Sequence, residues 1–352
     1  MAFRDEFPVL EKIAYLNAGT DGPMPRAAFE QARAELDSEL AEGRLWAHFE
    51  RRRELMDELR AGYARVLGCA AEDVAVTSGT SAGLGQVLAG LDLGPHDEIV
   101  TSDAEHPGLL GPLIAARHRG AKVRAVPFAE LANAVDAHTT LVAASHVSWI
   151  TGEVASTELA HVHVPVILDG AQGAGAVPVD VHALGCAAYA AAGQKWLCGA
   201  DGTGMLYLRP DFGERVRTIA PGYAALEDAS KGLDSTLRAQ ARRFDGALSR
   251  EALSCSSAAL AVLERERLDT IFARAHALAD RFADALRALG RTVAPRGRST
   301  LVSWEIDEPE QARARLAEQG VAVRNLPGHP YLRASVGAWN DESDLERLLG
   351  AL

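Results

Sequence analysis

Short apolar runs alternate along this chain with longer stretches in which apolar residues return every third or fourth position. Residues 74–78, 98–102, 122–126, 140–145, 164–168 and 189–192 are such runs and read as strands. A helical run over 82–91 follows the first of them. The long stretch 26–67 is helical in pattern, and Gly43 predicts a break within it. Residues 212–250 are polar and irregular. Beyond them, 256–289 reads as one long amphipathic helix, and 291–294, 300–306, 321–324 and 331–336 read as strands with helices between and after. Such alternation predicts an α/β architecture.

Composition narrows the picture. A chain of 352 residues can bury a large core and would ordinarily divide into two domains. A formal net charge of −12 argues against nucleic acid and anionic membrane as partners, since both require basic patches. No apolar run reaches the length of a membrane span, and residues 1–12 lack an apolar signal-peptide core, so a cytoplasmic location is expected. Cys69, Cys186, Cys198 and Cys255 are scattered, with neither metal-type pairing nor a disulfide framework. His161-Val162-His163 would set two imidazoles on one strand face, but no carboxylate or cysteine partner is evident nearby, and no metal is expected.

The candidate chemistry gathers where the runs end. Ala190-Ala191-Ala192-Gly193-Gln194-Lys195-Trp196-Leu197 sets one lysine among apolar and small residues. Desolvation there would lower the pKa of its amine, and a neutral amine can form a Schiff base. The run 164–168 leads into Asp169-Gly170-Ala171-Gln172, and a carboxylate so placed can hold a protonated ring nitrogen. After 74–78 comes Gly79-Thr80-Ser81 and then a helix. That combination offers free N–H groups, hydroxyls and a favourable dipole to a phosphate, and it also serves as an ordinary N-cap. His106, in Asp103-Ala104-Glu105-His106-Pro107, stands at a strand's end near the ligand edge of such a sheet, or else caps a helix. Leu332-Arg333-Ala334-Ser335-Val336 carries a guanidinium, the bidentate partner of a carboxylate.

Asp169-Gly170-Ala171-Gln172, Gly193-Gln194-Lys195-Trp196 and Gly202-Thr203-Gly204-Met205-Leu206-Tyr207 together resemble the pyridoxal 5'-phosphate (PLP) enzymes of fold type I. Within them the chain resembles the class V aminotransferase group, which includes cysteine desulfurases, selenocysteine lyase, isopenicillin N epimerase and several C–S lyases. The resemblance runs from about Tyr15 to the C-terminus. It implies a three-layer large domain over 15–250 with a mostly parallel seven-stranded sheet, a small α/β domain from 1–14 and 251–352, and a homodimer. It also implies roles. Lys195 would hold PLP and take the substrate's α-proton, and Asp169 would hold the ring nitrogen. Gly79, Thr80, Ser81 and Gln194 would lie at the phosphate. His106 would stack on the ring, Gln172 would donate to the phenolic oxygen, and Arg333 would bind the substrate α-carboxylate. Asn17 to Thr20, in a glycine-rich loop, are candidate substrate contacts. Arg242-Arg243-Phe244-Asp245-Gly246 resembles the segment that reaches into a neighbouring subunit, with Gly246 and Ser249 as contacts to the partner's phosphate.

Two positions depart from the group's desulfurases. Trp149 stands where they usually carry an asparagine, and an indole cannot accept a hydrogen bond. The segment Arg324-Asn325-Leu326-Pro327-Gly328-His329-Pro330-Tyr331 has no cysteine where they carry the thiol that takes up sulfur. His329 remains there as an acid, a base, a substrate contact or a turn residue. The expected activity is therefore β-elimination from a cysteine-type substrate, with transamination or epimerisation as the alternative. A PLP-binding protein without turnover is the reading from another class, and the joint presence of Lys195, Asp169 and Arg333 argues against it.

Overall fold

The structure is a computed structural model that describes residues 3–352. Its strands are β1 (Ala14–Tyr15), β2 (Val74–Thr77), β3 (Glu98–Ser102), β4 (Lys122–Val126), β5 (Thr139–Ser145), β6 (Val166–Asp169), β7 (Ala188–Ala192), β8 (Gly204–Leu208), β9 (Leu301–Glu305), β10 (Val321–Ala322), β11 (Arg324–Asn325) and β12 (Tyr331–Ser335). The helices are α1 (Arg26–Glu42), α2 (Trp46–Leu67), α3 (Thr80–Gly90), α4 (Pro107–His118), α5 (Pro210–Gly213), α6 (Arg250–Glu266), α7 (Leu268–Ala288), α8 (Pro309–Glu318) and α9 (Glu342–Gly350).

Seven strands form one sheet in the order β2-β8-β7-β6-β5-β3-β4. Only β8 runs against its neighbours; the other pairings are parallel. Side chains alternate between the two faces. Val74, Val76, Val142, Val166 and Leu168 pack with Leu59 and Tyr63 of α2. Ala75, Ile99, Leu141, Ala143 and Ile167 pack with Leu84 of α3 and Leu109 and Leu113 of α4. Helices cover both faces, and this is why the strands appear in the sequence as unbroken apolar runs rather than alternating ones. The expected mostly parallel seven-stranded α/β sheet is the observed one.

A separate apolar cluster joins Ala14 and Leu16 to Leu278 and Phe282 of α7, Trp304 of β9, Leu332 of β12 and Leu348 of α9. Here β11, β12 and β9 form an antiparallel sheet, and β1 pairs with β10. Three expectations need correction. The stretch read as one helix over 256–289 is α6 and α7, divided at Arg267 (φ 69°), and the apolar period hides the turn because it continues across it. Residues 291–294 form no strand; Val293 makes a single bridge to Trp304. His161 and His163 are exposed on a 3-10 turn (Thr157–His161) and the bend after it, not on a strand. Ser156 caps that turn by accepting the Glu158 N–H at 3.2 Å. Among the described residues no cluster of His, Cys, Asp and Glu is arranged to hold a metal, and no helix is long and apolar enough to cross a membrane.

The outer strand β2 leads straight to the glycine turn, and its free edge is covered. Gly246 N–H donates to the Val76 carbonyl at 2.8 Å, and Val76 N–H donates to Asp245 Oδ1 at 3.0 Å. Both terminal nitrogens of Arg60 donate to the same carboxylate, at 2.9 and 2.8 Å, and the pair is buried. Asp245→Ala strands a buried guanidinium and is expected to destabilise the fold by about 3 kcal/mol in urea denaturation. Asp92→Ala, which breaks an exposed pair with Arg217, should change stability by less than about 1 kcal/mol.

Candidate active site

The candidate residues converge because the parallel strands all end at one edge of the sheet. Asp169 is the last residue of β6, beside Ser145 at the end of β5. β7 ends at Ala192, and the chain bends through Gly193 and Gln194 to Lys195. β3 leads to His106, the N-cap of α4, and β2 leads to Gly79, the N-cap of α3.

Lys195 is largely buried, and burial pulls its amine below the ordinary lysine range. Asp169 raises it, Arg333 lowers it further, and Asp21 raises it. Asp169 is buried and accepts the Ala171 N–H at 2.9 Å. Burial raises its carboxyl, opposed by the Ala171 hydrogen bond and the Lys195 charge. His106 accepts the Gly108 N–H on Nδ1 at 3.0 Å, so its ring proton sits on Nε2. Burial, then the charges of Lys195, Arg333 and Arg324, push it down to about 4, and the ring is neutral. His106 thus caps α4, and its ring lies in the field of Lys195, Arg333 and Arg324.

Arg333 is 2% exposed, and its Nη1 donates to the Trp149 carbonyl at 2.7 Å. Burial, with the Arg324 charge, pushes the guanidinium down to about 9. Arg333 and Ser335 share one face of β12, and Arg324 on β11 lies directly opposite Arg333. Gly19 approaches this face so closely that a Cβ there would lie 2.7 Å from Ser335 Oγ and 2.8 Å from Arg333 Nη2. Gln172 holds that loop: its Nε2 donates to the Gly19 carbonyl at 2.7 Å, while its Oε1 accepts the Trp196 indole N–H at 3.0 Å. One amide N–H of Gln172 is left over. Asn17 bridges to Ser335, and its side chain accepts the Thr20 hydroxyl at 2.9 Å. The Trp149 ring meets His106 edge-on at 5.1 Å and His329 at 6.4 Å. His329 stacks on Tyr331.

At the glycine turn, Gly79 has φ 143°, a conformation that side chains resist, and Ser81 is exposed on the first turn of α3. Gly204 lets β8 pass close behind: a Cβ on it would lie 2.6 Å from Gly79 Cα. Gly246 bonds to β2 of its own chain, and Ser249 is exposed at the start of α6. Five buried polar atoms at the site find no partner among the described residues: Thr80 Oγ1, Gln194 Oε1, Trp149 Nε1, Arg333 Nε and Ser335 Oγ. Unpaired buried groups cost about 1–3 kcal/mol each, so a cluster of them fits a site completed by ligands. Two lie at the end expected for the phosphate and three around the expected carboxylate. With a buried aspartate between them and a lysine whose amine burial pulls below its ordinary range, the residues present fit PLP.

The sequence alone does not mark Arg324, Ser335, Asp21 or Glu105 as site residues. Ser335 was within reach, since positions two apart on a strand share a face. The others depend on strand register and loop packing.

The chain matches the family described as Aminotransferase class-V over residues 14–348. It belongs to the class V aminotransferase family. A probable cysteine desulfurase of Halalkalibacterium halodurans is 30% identical over 317 residues, spanning 80% of this chain and 77% of the relative. Isopenicillin N epimerase of Streptomyces clavuligerus is 29% identical over 236 residues, 60% of this chain and 57% of the relative. Among solved structures, a lysine-to-alanine mutant of C-DES with glycine covalently linked to its PLP cofactor matches with a TM-score of 0.92 at 27% identity, over 99% of this chain and 98% of that one. The cystine C–S lyase C-DES with its product cysteine persulfide matches with a TM-score of 0.91 at 28% identity, over 98% of both chains. The chain is thus a PLP-dependent enzyme of the cysteine desulfurase-like class V group.

Asp169 also has a buried neighbour that titrates. His146 N–H donates to the Asp169 carbonyl at 2.8 Å, and its Nδ1 lies 3.0 Å from the Tyr189 hydroxyl. Burial pushes His146 down to about 4. An unfolded histidine titrates near 6.5, so between those values the unfolded chain binds a proton that the folded chain does not. This contribution is intact above about pH 6.5 and is lost, on the order of 3 kcal/mol, as pH falls to about 4. Denaturation at a series of pH values should give His146→Gln a shallower acid limb than the wild type.

Proposed function

We propose that this enzyme cleaves a C–S bond of a cysteine-derived amino acid by β-elimination, with Lys195 as the base. The observation that carries this reading is an amine that burial pulls below the ordinary lysine range, in the same buried charge cluster as a buried guanidinium that retains an unpartnered nitrogen. An α-amino acid suits the pair, offering a carboxylate to Arg333 and its α C–H to Lys195.

When bound, PLP supplies an aldehyde that condenses with amines and a ring that withdraws electrons from the substrate's α-carbon. Gly79, Thr80, Ser81 and Gln194 would take its phosphate, Asp169 its ring nitrogen, neutral His106 one ring face, and the spare N–H of Gln172 its phenolic oxygen. Arg333, held by the Trp149 carbonyl, fixes the substrate's carboxylate and so its α-carbon. Lys195 takes the α-proton, and the C–S electron pair leaves with sulfur. With one water consumed, the products are pyruvate, ammonia and a thiol, or a persulfide if the substrate is a disulfide.

Two features favour elimination over persulfide formation on the protein. The segment 324–331 contains no cysteine, and Cys198 is buried with its thiol raised well above the ordinary range. Arg324 is exposed at the rim, close enough to influence Arg333, His106 and Asp21. Arg324 and Asp21 offer opposite charges to the far carboxylate and ammonium of a disulfide-linked substrate, and C-DES is itself named a cystine C–S lyase. We also propose a homodimer, because Phe29, Leu36, Leu40, Trp46, Phe49 and Tyr223 leave apolar surface exposed on one chain.

A panel of disulfide and thioether amino acids tests the reaction. Pyruvate with a thiol or persulfide is expected, and Lys195→Ala should abolish it. A keto acid that keeps its full carbon skeleton would point to transamination instead, and inverted substrate to epimerisation. Arg324→Ala is expected to raise KM for cystine roughly tenfold while changing KM for S-methylcysteine little.

A further inference from the structure

Glu105 lies 5% exposed beneath the site and has no place in the chemistry above. Its carboxyl is fully engaged. Oε1 accepts the Ser102 hydroxyl at 2.6 Å and the Ser145 N–H at 3.0 Å; Oε2 meets the Ser145 hydroxyl at 2.5 Å and the same N–H at 3.1 Å. Ser102 ends β3 and Ser145 ends β5, so one side chain ties the two strand ends together. Ser145 is also the register partner of Asp169 on β6. The next residue after Glu105 is His106. An unbroken path thus runs from His106 through the Glu105 carboxyl and Ser145 to Asp169.

We propose that Glu105 is a positioning residue that sets His106 relative to Asp169, the two groups that would hold the PLP ring. This rests on the PLP reading above. A buried carboxyl near Asp169 would repel it if charged. Burial raises Glu105, opposed by its three serine hydrogen bonds, and Asp169 raises it further. The serine hydroxyls can donate or accept, and the network therefore tolerates a neutral side chain of the same shape.

The test compares wild-type, Glu105→Gln and Glu105→Asp proteins, each stripped of cofactor and titrated with PLP. PLP affinity is followed by quenching of tryptophan fluorescence, and the bound cofactor by its visible circular dichroism. Glu105→Gln keeps the shape without the charge and is expected to match the wild type in both. Glu105→Asp keeps the acid but shortens the arm. It is expected to weaken PLP binding roughly tenfold and to diminish the dichroic band, since small misplacements of contacting groups carry large penalties. Thermal denaturation of the cofactor-free proteins separates positioning from simple support, because the Asp variant's loss should exceed any change in its apo stability. Wild-type affinity and dichroism in Glu105→Asp would overturn the inference, as would an equal loss in Glu105→Gln. A wild-type protein that takes up no PLP would instead refute the reading on which it rests.

Discussion

A primary amine drawn out of water into a cluster of buried charges is the constraint on which this structure turns. Lys195 is taken out of water, which disfavours its charged form, and Arg333 adds to that pressure. Asp169 acts in the opposite direction. The balance among the three holds the amine below the ordinary lysine range, the direction that the proposed roles of nucleophile and base require. Neither effect would survive on an exposed loop, where water would restore ordinary values.

The sheet supplies the rigidity this balance needs. Asp169, Ser145 and Ser102 are terminal residues of parallel strands, and their separations are set by backbone hydrogen bonds rather than by loop conformation. The Gly79 turn is tied to the same frame through β2, whose outer edge is covered by Asp245 and Gly246. The antiparallel strands β11 and β12 bring Arg324, Arg333 and Ser335 in as one face, and the Gly19 loop closes over them with no room for a side chain.

Features encoded over a few neighbouring residues were legible in the sequence. A strand followed by Gly79-Thr80-Ser81, or by Asp169, states its own geometry, and the motifs around Lys195 name a family. What stayed hidden depends on contacts between distant segments. Arg324 becomes part of the site only because it pairs across from Arg333, and nothing local marks it. Glu105 reads as a surface acid, since charged residues seldom lie buried, and only Ser102 and Ser145 explain its position. The break at Arg267 escaped for the opposite reason, because apolar periodicity persists through a residue whose backbone turns the chain.

In the proposed reaction, with no thiol on the segment before Arg333, the work falls to Lys195 and the groups that would hold its cofactor. The chain has four lysines, and Lys12, Lys122 and Lys231 are all exposed. Borohydride reduction of the PLP-loaded protein, followed by digestion and peptide mass analysis, therefore asks the central question directly. The account predicts a phosphopyridoxyl group on the peptide containing Lys195 and on no other. A label distributed over the exposed lysines, with Lys195 unmodified, would contradict it.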